Sequence, residues 1–340
     1  MEKVLLVKGI AGLGNRLLCL STAIIYALLT KRKLIVDWSD KVYTNDGSNA
    51  FEKFYHCSLN SPLNDLPSTD SIAPAIWKGN LRKSVGEMVP RHSKYHFNHP
   101  KTFSEFSINI TNLDYTEDVV VFWSYFDQSS RLKKQIDKKL KKYFNLNSRS
   151  IIKKILSDYL VLNSEIQERV LQFKNKFFGN KVVGIHLRYA DKKVPVKAML
   201  KRLDRLIERD SELQIFLATD NIDIKNYVEN KYSKVISTPK WYPPPGQRMH
   251  NQFSINHDMI GSGIDALVDM YLLSECDYLI IDESSSFAYI ASLQSKIPSK
   301  QIFYFDRLKW IPQRIRHQLW IMQQILLTKI KLKRIIDSLF

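Results

Sequence analysis

The sequence lacks both a cysteine framework and a long hydrophobic run. Its three cysteines, Cys19, Cys57 and Cys276, lie far apart and form no CxxC or Cys/His spacing, which argues against a structural zinc or a disulfide scaffold. No run of 18 or more apolar residues occurs, so we expect no membrane span. The apolar run before Lys8 is too short for the core of a signal peptide. These absences predict a cytoplasmic protein.

Acidic residues are also scarce. The chain of 340 residues has 34 Asp and Glu against 51 Lys and Arg, a formal net charge of +17. This balance favours polyanionic partners, namely nucleic acid, an anionic membrane surface or phosphorylated substrates. An apolar content of 44% excludes a disordered chain, and the length suits two domains.

Short β-branched runs alternate with helical patterns in both halves of the chain. They predict strands at 3–7, 34–38, 119–123, 181–187, 213–218, 234–237, 277–281 and 301–305. Helices are predicted at 17–29, 131–144, 164–178, 196–209, 222–231, 263–275 and from 286, whereas 45–112 is expected to be irregular. This alternation predicts an α/β protein with two doubly wound Rossmann-like domains facing a cleft. We place the domains at 1–175, on the acceptor side, and 176–310.

The remaining segment, 311–340, is expected to be a basic amphipathic helix. Its Lys and Arg residues are interspersed with Trp320, Leu and Ile. Such a helix can lie on the anionic inner face of a membrane, or it can pack back across the two domains with its charges in water. The pattern favours packing across the domains.

The most informative stretch is 181–193, KVVGIHLRYADKK. A predicted buried strand ends there in a polar cluster that contains His186, Arg188, Asp191 and Lys192. Ligands of open α/β sheets bind at the carboxyl ends of the strands. A guanidinium at this position suits a diphosphate, because its donors form a fork and its charge does not titrate. A surface arginine beside a core histidine gives the same local pattern.

Three further polar clusters adjoin predicted strands. Gly12 and Gly14 lie in a turn after the first strand, but their G-x-x-G-x-G spacing does not fit the dinucleotide fingerprint and also suits tight packing of a helix. Asp220 follows the strand at 213–218, and Asp269 precedes the strand at 277–281. Ser284 and Ser285 then follow that strand, where serines at a helix start form a phosphate seat or a simple helix cap.

Together these motifs resemble the GDP-fucose-dependent fucosyltransferase superfamily. HLRYADK is similar to the H-x-R-x-x-D-K segment of α1,6-fucosyltransferases and the rhizobial nodulation fucosyltransferase, and the segments at 218–221 and 269–286 follow in the same order. Residues 12–16, GLGNR, are similar to the G-x-G-N-Q segment of α1,2- and protein O-fucosyltransferases. The resemblance implies a GT-B fold and a role in polysaccharide biosynthesis.

The resemblance also implies roles for individual residues. Arg188 would bind the β-phosphate and neutralise the leaving diphosphate, and Asn15 falls where protein O-fucosyltransferases place a residue implicated in acceptor activation. Asp220 and Asp269 would hold guanine or ribose. The remaining residues would bind or support the donor: Gly12, Gly14, Arg16, His186, Asp191, Lys192, Ser284 and Ser285. Of these, Asp191 is also a catalytic candidate.

The implied reaction is an inverting transfer of fucose, or another GDP-linked sugar, to an oligosaccharide or lipid-linked acceptor. Its transition state is oxocarbenium-like, and charge accumulates on the departing GDP. No D-x-D pair occurs in the chain, so we expect no metal and no cofactor beyond the donor. A carboxylate that follows the H-x-R-x-x-D-K segment in the α1,6 enzymes corresponds roughly to Val196, which leaves Asp191, Asp37 and Asp40 as candidate bases by chemistry alone.

Two other interpretations remain open at this point. The charge of +17 suits a nucleic-acid-binding protein, but the basic residues are spread over several helices and no RRM, KH or zinc signature occurs, so we expect no nucleic acid partner. The presence of Val196 where the α1,6 enzymes have a carboxylate also permits an inactive, carbohydrate-binding relative of the transferases.

Overall fold

The computed structural model describes residues 2–190, 194–244 and 258–305, together with the single residue 322. In this part of the chain the strands are β1 (Val4–Lys8), β2 (Lys33–Asp37), β3 (Tyr55–Cys57), β4 (Ile72–Ala73), β5 (Val119–Phe122), β6 (Leu160–Leu162), β7 (Val182–Leu187), β8 (Gln214–Thr219), β9 (Val235–Ile236), β10 (Tyr278–Asp282) and β11 (Ile302–Phe305). The α-helices are α1 (Leu13–Thr30), α2 (Ala50–Phe54), α3 (Val85–His92), α4 (Pro100–Phe106), α5 (Lys133–Lys139), α6 (Ser148–Tyr159), α7 (Ser164–Phe177), α8 (Val196–Ile207), α9 (Ile222–Lys231), α10 (Met259–Ser274) and α11 (Ser286–Gln294).

The first sheet is parallel, with the order β2-β1-β5-β4. Its central strand β1 is buried along its whole length, as a strand covered on both faces must be. The second sheet is also parallel, with the order β11-β10-β7-β8-β9. A short antiparallel pair, β3 with β6, forms a third sheet. The two doubly wound sheets predicted from the sequence are therefore present.

The prediction of an irregular segment at 45–112 was wrong. This segment contains α2, α3 and α4 and the short strands β3 and β4. The three helices are short and begin at local side-chain caps, as in the capping box between Ser84 and Glu87, so they lack the long apolar periodicity that reveals a helix. The predicted helix 131–144 is likewise divided, because Leu140 leaves the helical conformation after α5. Helix α6 was not predicted.

One hydrophobic core joins the two sheets. It runs from one face of the first sheet through α1, α10 and α11 to one face of the second sheet. Helix α1 is long and apolar enough to cross a membrane by composition, but 83% of it is buried inside the protein, as a core helix would be. The two halves are thus packed together beneath the edge where the strands end.

Helix α7 lies at the predicted domain boundary. It packs against the second sheet, where the ring of Phe173 lies 5.9 Å from that of Phe216 on β8. Arg169 also forms a 2.6 Å ion pair with Asp265 on α10. The boundary at 175 stays a prediction, and the segment 311–340 lies outside the described residues apart from Met322.

Candidate active site

Each of the two sheets has one position at which its strand order reverses. These two positions lie against each other. In the second sheet the order reverses between β7 and β10, the strands that precede Arg188 and Ser284. In the first sheet it reverses between β1 and β5, the strands that precede Asn15 and Tyr125. Ligands of open α/β sheets bind in the crevice at such a reversal. The topology therefore brings the predicted polar clusters to one shared crevice.

Asp220 holds the loop that carries Arg188. Its Oδ1 accepts hydrogen bonds from the backbone N–H of Tyr189 at 2.7 Å and of Ala190 at 3.1 Å. The sequence placed Asp220 at the nucleobase or ribose; in the structure this oxygen serves the loop. Because both bonds reach a carboxylate, they are stronger than bonds between neutral groups. They fix the backbone immediately after Arg188.

The positive charge of Arg188 acts on Tyr43, a residue of the first half of the chain. Burial raises the pKa of the Tyr43 phenol to about 12, and the guanidinium of Arg188 acts on that pKa in the opposite direction. Tyr43 follows β2 and is buried. The crevice is thus lined by residues from both halves, and Arg188 lies close enough to both to act electrostatically on each.

His186 is a buried neutral side chain beside Arg188. Its ring stacks on Phe287 of α11, with centroids 5.0 Å apart and planes at 28°. Burial, reinforced by the positive charges of Arg188 and Lys240, lowers its pKa to about 3. Among the described residues, its Nδ1 atom has no hydrogen-bond partner. His186 therefore stays uncharged at neutral pH and supports the Arg188 strand end by packing.

A pH-dependent stability contribution is expected from His186. The unfolded chain binds a proton at this residue below about pH 6.5, whereas the folded chain does not until about pH 3. Unfolding is therefore favoured as the pH falls from about 6.5 towards 3, by up to about 1.4 kcal/mol per pH unit. Denaturant unfolding of wild type and His186→Gln should show a weaker loss in the variant at acidic pH. The exposed His56→Gln control should follow wild type, and parallel pH curves for all three proteins would contradict the assignment.

The serines after β10 lie at the start of α11. Ser285 is the N-cap of the helix and accepts from the backbone N–H of Ala288, while Ser284 donates through its N–H and hydroxyl to Asp282. These bonds order the turn and leave the N-terminus of α11 at the crevice. A helix N-terminus favours phosphate oxygens through its unpaired N–H groups and its dipole.

Asn15 joins the two halves of the crevice. Its Nδ2 donates to the carbonyl oxygen of Tyr125 at 2.8 Å, and its Oδ1 accepts from the hydroxyl of Ser286 at 2.7 Å. The side-chain amide thereby connects the loop after β5 with the first residue of α11. In this structure Asn15 fixes the junction of α1 and α11, and its suggested part in acceptor activation stays a prediction.

Glycine is required at position 14 for close packing. A Cβ built there would lie 2.4 Å from both the backbone nitrogen of Phe287 and the carbonyl carbon of Ser286. Gly12 is the N-cap of α1. The alternative reading of these glycines, tight helix packing, therefore applies to Gly14, and the surface it packs against is the start of α11.

Comparison with known proteins shows what this chain is similar to. The family model "Nodulation protein Z (NodZ)" matches residues 148–309. Nodulation protein Z of Azorhizobium caulinodans is 24% identical over 326 residues, which is 87% of this chain and 89% of that protein. "Probable fucosyltransferase 9" of Arabidopsis thaliana is 27% identical over 302 residues, 82% of this chain and 57% of that protein. These matches agree with the sequence resemblance to the GDP-fucose-dependent fucosyltransferase superfamily.

A solved structure bears on the fold. The crystal structure of NodZ alpha-1,6-fucosyltransferase soaked with GDP-fucose superposes with a TM-score of 0.58 at 20% identity, covering 87% of this chain and 93% of that one. The GT-B fold implied by the sequence resemblance is thereby confirmed.

Arg16 is buried and held against the turn after β1. Its side chain has 0% exposed surface and is held by the carbonyl oxygen of Ala11 at 2.8 Å and by Asp40 at 2.6 Å. The guanidinium lies over the rings of Trp38 and Tyr43. In the structure Arg16 braces the turn after β1, and its predicted part in substrate binding stays a prediction.

Two of the three carboxylates considered as candidate bases, Asp37 and Asp40, are engaged in ion pairs. Asp37 forms a buried 2.5 Å pair with Lys8; burial alone would raise its pKa, but Lys8 and the Ser39 hydrogen bonds hold that pKa below its usual value. Burial raises the pKa of Asp40 against the opposing charge of Arg16. Asp191 and Lys192 lie outside the described residues. The base is thus not assigned by the described geometry.

The carboxylate of Asp269 is also engaged by side chains of the protein. It accepts from Thr238 Oγ1 at 2.6 Å and forms an ion pair with Lys240, and its side chain is buried. In the structure Asp269 therefore anchors the loop after β9, and its predicted contact with guanine or ribose stays a prediction.

Sequence reasoning missed Lys240, because its partner lies 29 residues away. Tyr125 and Phe287 were detectable in principle, since each closely follows a predicted strand.

Proposed function

We propose that this chain is an inverting fucosyltransferase that moves fucose from GDP-fucose to an oligosaccharide or a lipid-linked glycan. The observation that carries the proposal is the convergence of Arg188, the N-terminus of α11 and the Asn15 turn on one crevice between two doubly wound sheets. The similarity to fucosyltransferases supports the same donor. The acceptor and the cytoplasmic location remain part of the proposal.

In the proposed reaction, the bond between the anomeric carbon and the β-phosphate oxygen of the donor breaks. The acceptor hydroxyl oxygen bonds to the opposite face of that carbon and gives its proton to a base. Negative charge grows on GDP as the bond breaks. Arg188 is a fixed positive group, and the N-terminus of α11 carries the positive end of the helix dipole, so both stabilise this charge without reorganising.

We also propose that the donor binds without a metal. The support comes from the sequence, which has no D-x-D pair to ligate a divalent ion beside a nucleotide sugar. The basic side chain of Arg188 then supplies the positive charge that a metal would provide. Transfer that is unchanged by a chelator is the expected result, and activity restored only by added magnesium or manganese would contradict it.

The donor proposal is tested by ligand-induced stabilisation and by transfer. GDP at about 100 times its dissociation constant should stabilise the folded chain by roughly 2.7 kcal/mol, whereas UDP and ADP should have a smaller effect. Incubation with GDP-fucose or GDP-mannose and an oligosaccharide acceptor, with NMR of the product, then gives the sugar and its anomeric configuration. GDP binding without turnover would favour an inactive carbohydrate-binding relative. Stabilisation by RNA alone would contradict the transferase proposal.

The loop contact of Asp220 should affect turnover. Asp220→Ala removes both backbone acceptor contacts and is expected to lower kcat by about tenfold or more, because small displacements of a catalytic group are costly. Asp220→Asn retains an acceptor oxygen and should recover most of the activity. Asp46 makes a similar local bond to the N–H of Ser48 at an exposed turn, so Asp46→Ala is the matched control. Equal kcat for the two alanine variants would refute this positioning role.

A further inference from the structure

A second cavity lies away from the crevice, on the outer part of the second sheet. It has a volume of about 490 Å³ and is formed between α8 and β11. β11 is the edge strand, and β10 separates it from β7. Neighbouring strands are about 4.8 Å apart, so this cavity lies roughly two strand spacings from the strand that carries Arg188. Its volume is in the range of small-molecule sites.

The cavity wall on α8 is cationic. Lys201, Arg202 and Arg205 line it, and no carboxylate is among its described lining residues. In the part of the chain that the structure describes, none of these three side chains forms an ion pair. Asp204 lies between them in sequence, but it is bound by Tyr232 at 2.6 Å and by Lys231. The positive charge of this wall is therefore not neutralised by α8 itself.

The opposite wall is aromatic, and it orients one of the cations. Phe303 and Phe305 alternate along β11 and so point to the same face of the sheet. The guanidinium of Arg202 lies 3.7 Å from the centroid of the Phe303 ring. Its Nε is buried and has no hydrogen-bond partner among the described residues. A buried donor without an acceptor is costly, so the hydrogen-bonding capacity of the Arg202 guanidinium is not fully used by the described residues.

We propose that this cavity binds a phosphate ester that carries an apolar or aromatic group. The phosphate would contact Lys201, Arg202 and Arg205, where charge-assisted hydrogen bonds form, and the apolar group would pack on Phe303 and Phe305. Such an ester can be a lipid headgroup or a soluble phosphate. The cavity uses no residue of the crevice, so this proposal stands apart from the proposed transferase activity.

The test uses the full chain with phenyl phosphate, inorganic phosphate, and phosphatidylcholine vesicles with and without phosphatidic acid. Ligand-observed NMR measures the soluble probes, and sedimentation measures the vesicles. The test variants are Arg202→Gln/Arg205→Gln and Phe303→Leu, with unfolding curves to show that each folds. Lys138→Gln/Lys139→Gln removes the same charge from an exposed part of α5 and is the matched control. Arg188→Ala removes the proposed phosphate ligand of the crevice, so it distinguishes binding in this cavity from binding in the crevice.

Phenyl phosphate is expected to bind wild type about tenfold more tightly than inorganic phosphate. Arg202→Gln/Arg205→Gln should lose about tenfold or more of that affinity, because two charged donors are removed. The Lys138/Lys139 control and Arg188→Ala should retain it, and Phe303→Leu should reduce the preference for the phenyl group. Sedimentation with phosphatidic acid that depends on Arg202 and Arg205 identifies a lipid source; its absence, with phenyl phosphate still bound, identifies a soluble ester.

Three results would overturn the proposal. The first is equal affinity of wild type and Arg202→Gln/Arg205→Gln for phenyl phosphate. The second is an equal loss in the Lys138/Lys139 control, which would reflect the general charge of the chain. The third is equal affinity of wild type for phenyl phosphate and inorganic phosphate, which would remove the aromatic wall from the site.

Discussion

Arg188→Ala should lower the rate of sugar transfer by about 10²–10³-fold or more. This is the magnitude typical of removing one fixed donor from a group that gains negative charge in the transition state. The same substitution should abolish stabilisation by GDP, because the guanidinium is the proposed ligand of the β-phosphate. Steady-state kinetics with GDP-fucose and unfolding with and without GDP measure the two effects.

Two control variants test whether Arg188 acts through its position and its fork of donors or only through its positive charge. Arg188→Lys keeps the charge but loses the planar fork of donors, so it should recover only part of the activity. Arg209→Ala removes one exposed positive charge from the same half of the chain and should leave both measurements unchanged. If Arg188→Ala turned over GDP-fucose like wild type, the proposed leaving-group role would be lost.

Gly14→Ala is expected to destabilise the protein by about 1–3 kcal/mol and to reduce transfer. The new methyl group would lie 2.4 Å from the backbone nitrogen of Phe287, and backbone cannot move aside as a flexible side chain can. The start of α11 would have to shift away from α1, which would separate Ser286 from Asn15. Denaturant unfolding and kcat at saturating donor measure the two effects.

Gly86 provides a matched control for Gly14. Both are the second residue of a helix, but the nearest atom to a Cβ at Gly86 is the Ser84 hydroxyl, at an ordinary contact distance of 3.6 Å. Gly86→Ala should therefore leave stability unchanged or raise it by up to about 1 kcal/mol, because alanine favours a helix. Equal stability of the two alanine variants would show that α1 and α11 are not held at this contact.

The predicted strands were accurate because each is short, apolar and bounded by polar or glycine residues. The sequence of β7, for example, shows both its burial and its polar end at Arg188. The segment 45–112 was misread for the opposite reason: its helices depend on local caps such as Ser84 with Glu87, and they are too short to show an apolar period. Polar helices of this kind leave little trace in hydrophobicity alone.

The sequence predicted that the polar clusters would meet at one edge, but it predicted the contacts of their residues only in part. Position after a strand sufficed to bring Arg188, Ser284 and Asn15 to one edge, since parallel strands end on the same side. It could not show that Asp220 binds the Arg188 loop or that Asp269 is taken by Lys240, because these partners are distant in sequence. A carboxylate near a ligand site has the same sequence signature whether it binds ligand or backbone.

The sequence by itself determined the two doubly wound sheets, the polar strand ends and the resemblance to the superfamily, because hydrophobic period and motif order are local properties of the chain. Only the tertiary structure decided which polar side chains are engaged in contacts within the protein. It buried Arg16 against Asp40, joined Asn15 to Ser286 across the two halves, and made Gly14 a point of contact between α1 and α11. The physical reason is that hydrogen bonds and steric contacts depend on distance in space, which the spacing of residues along the chain does not define.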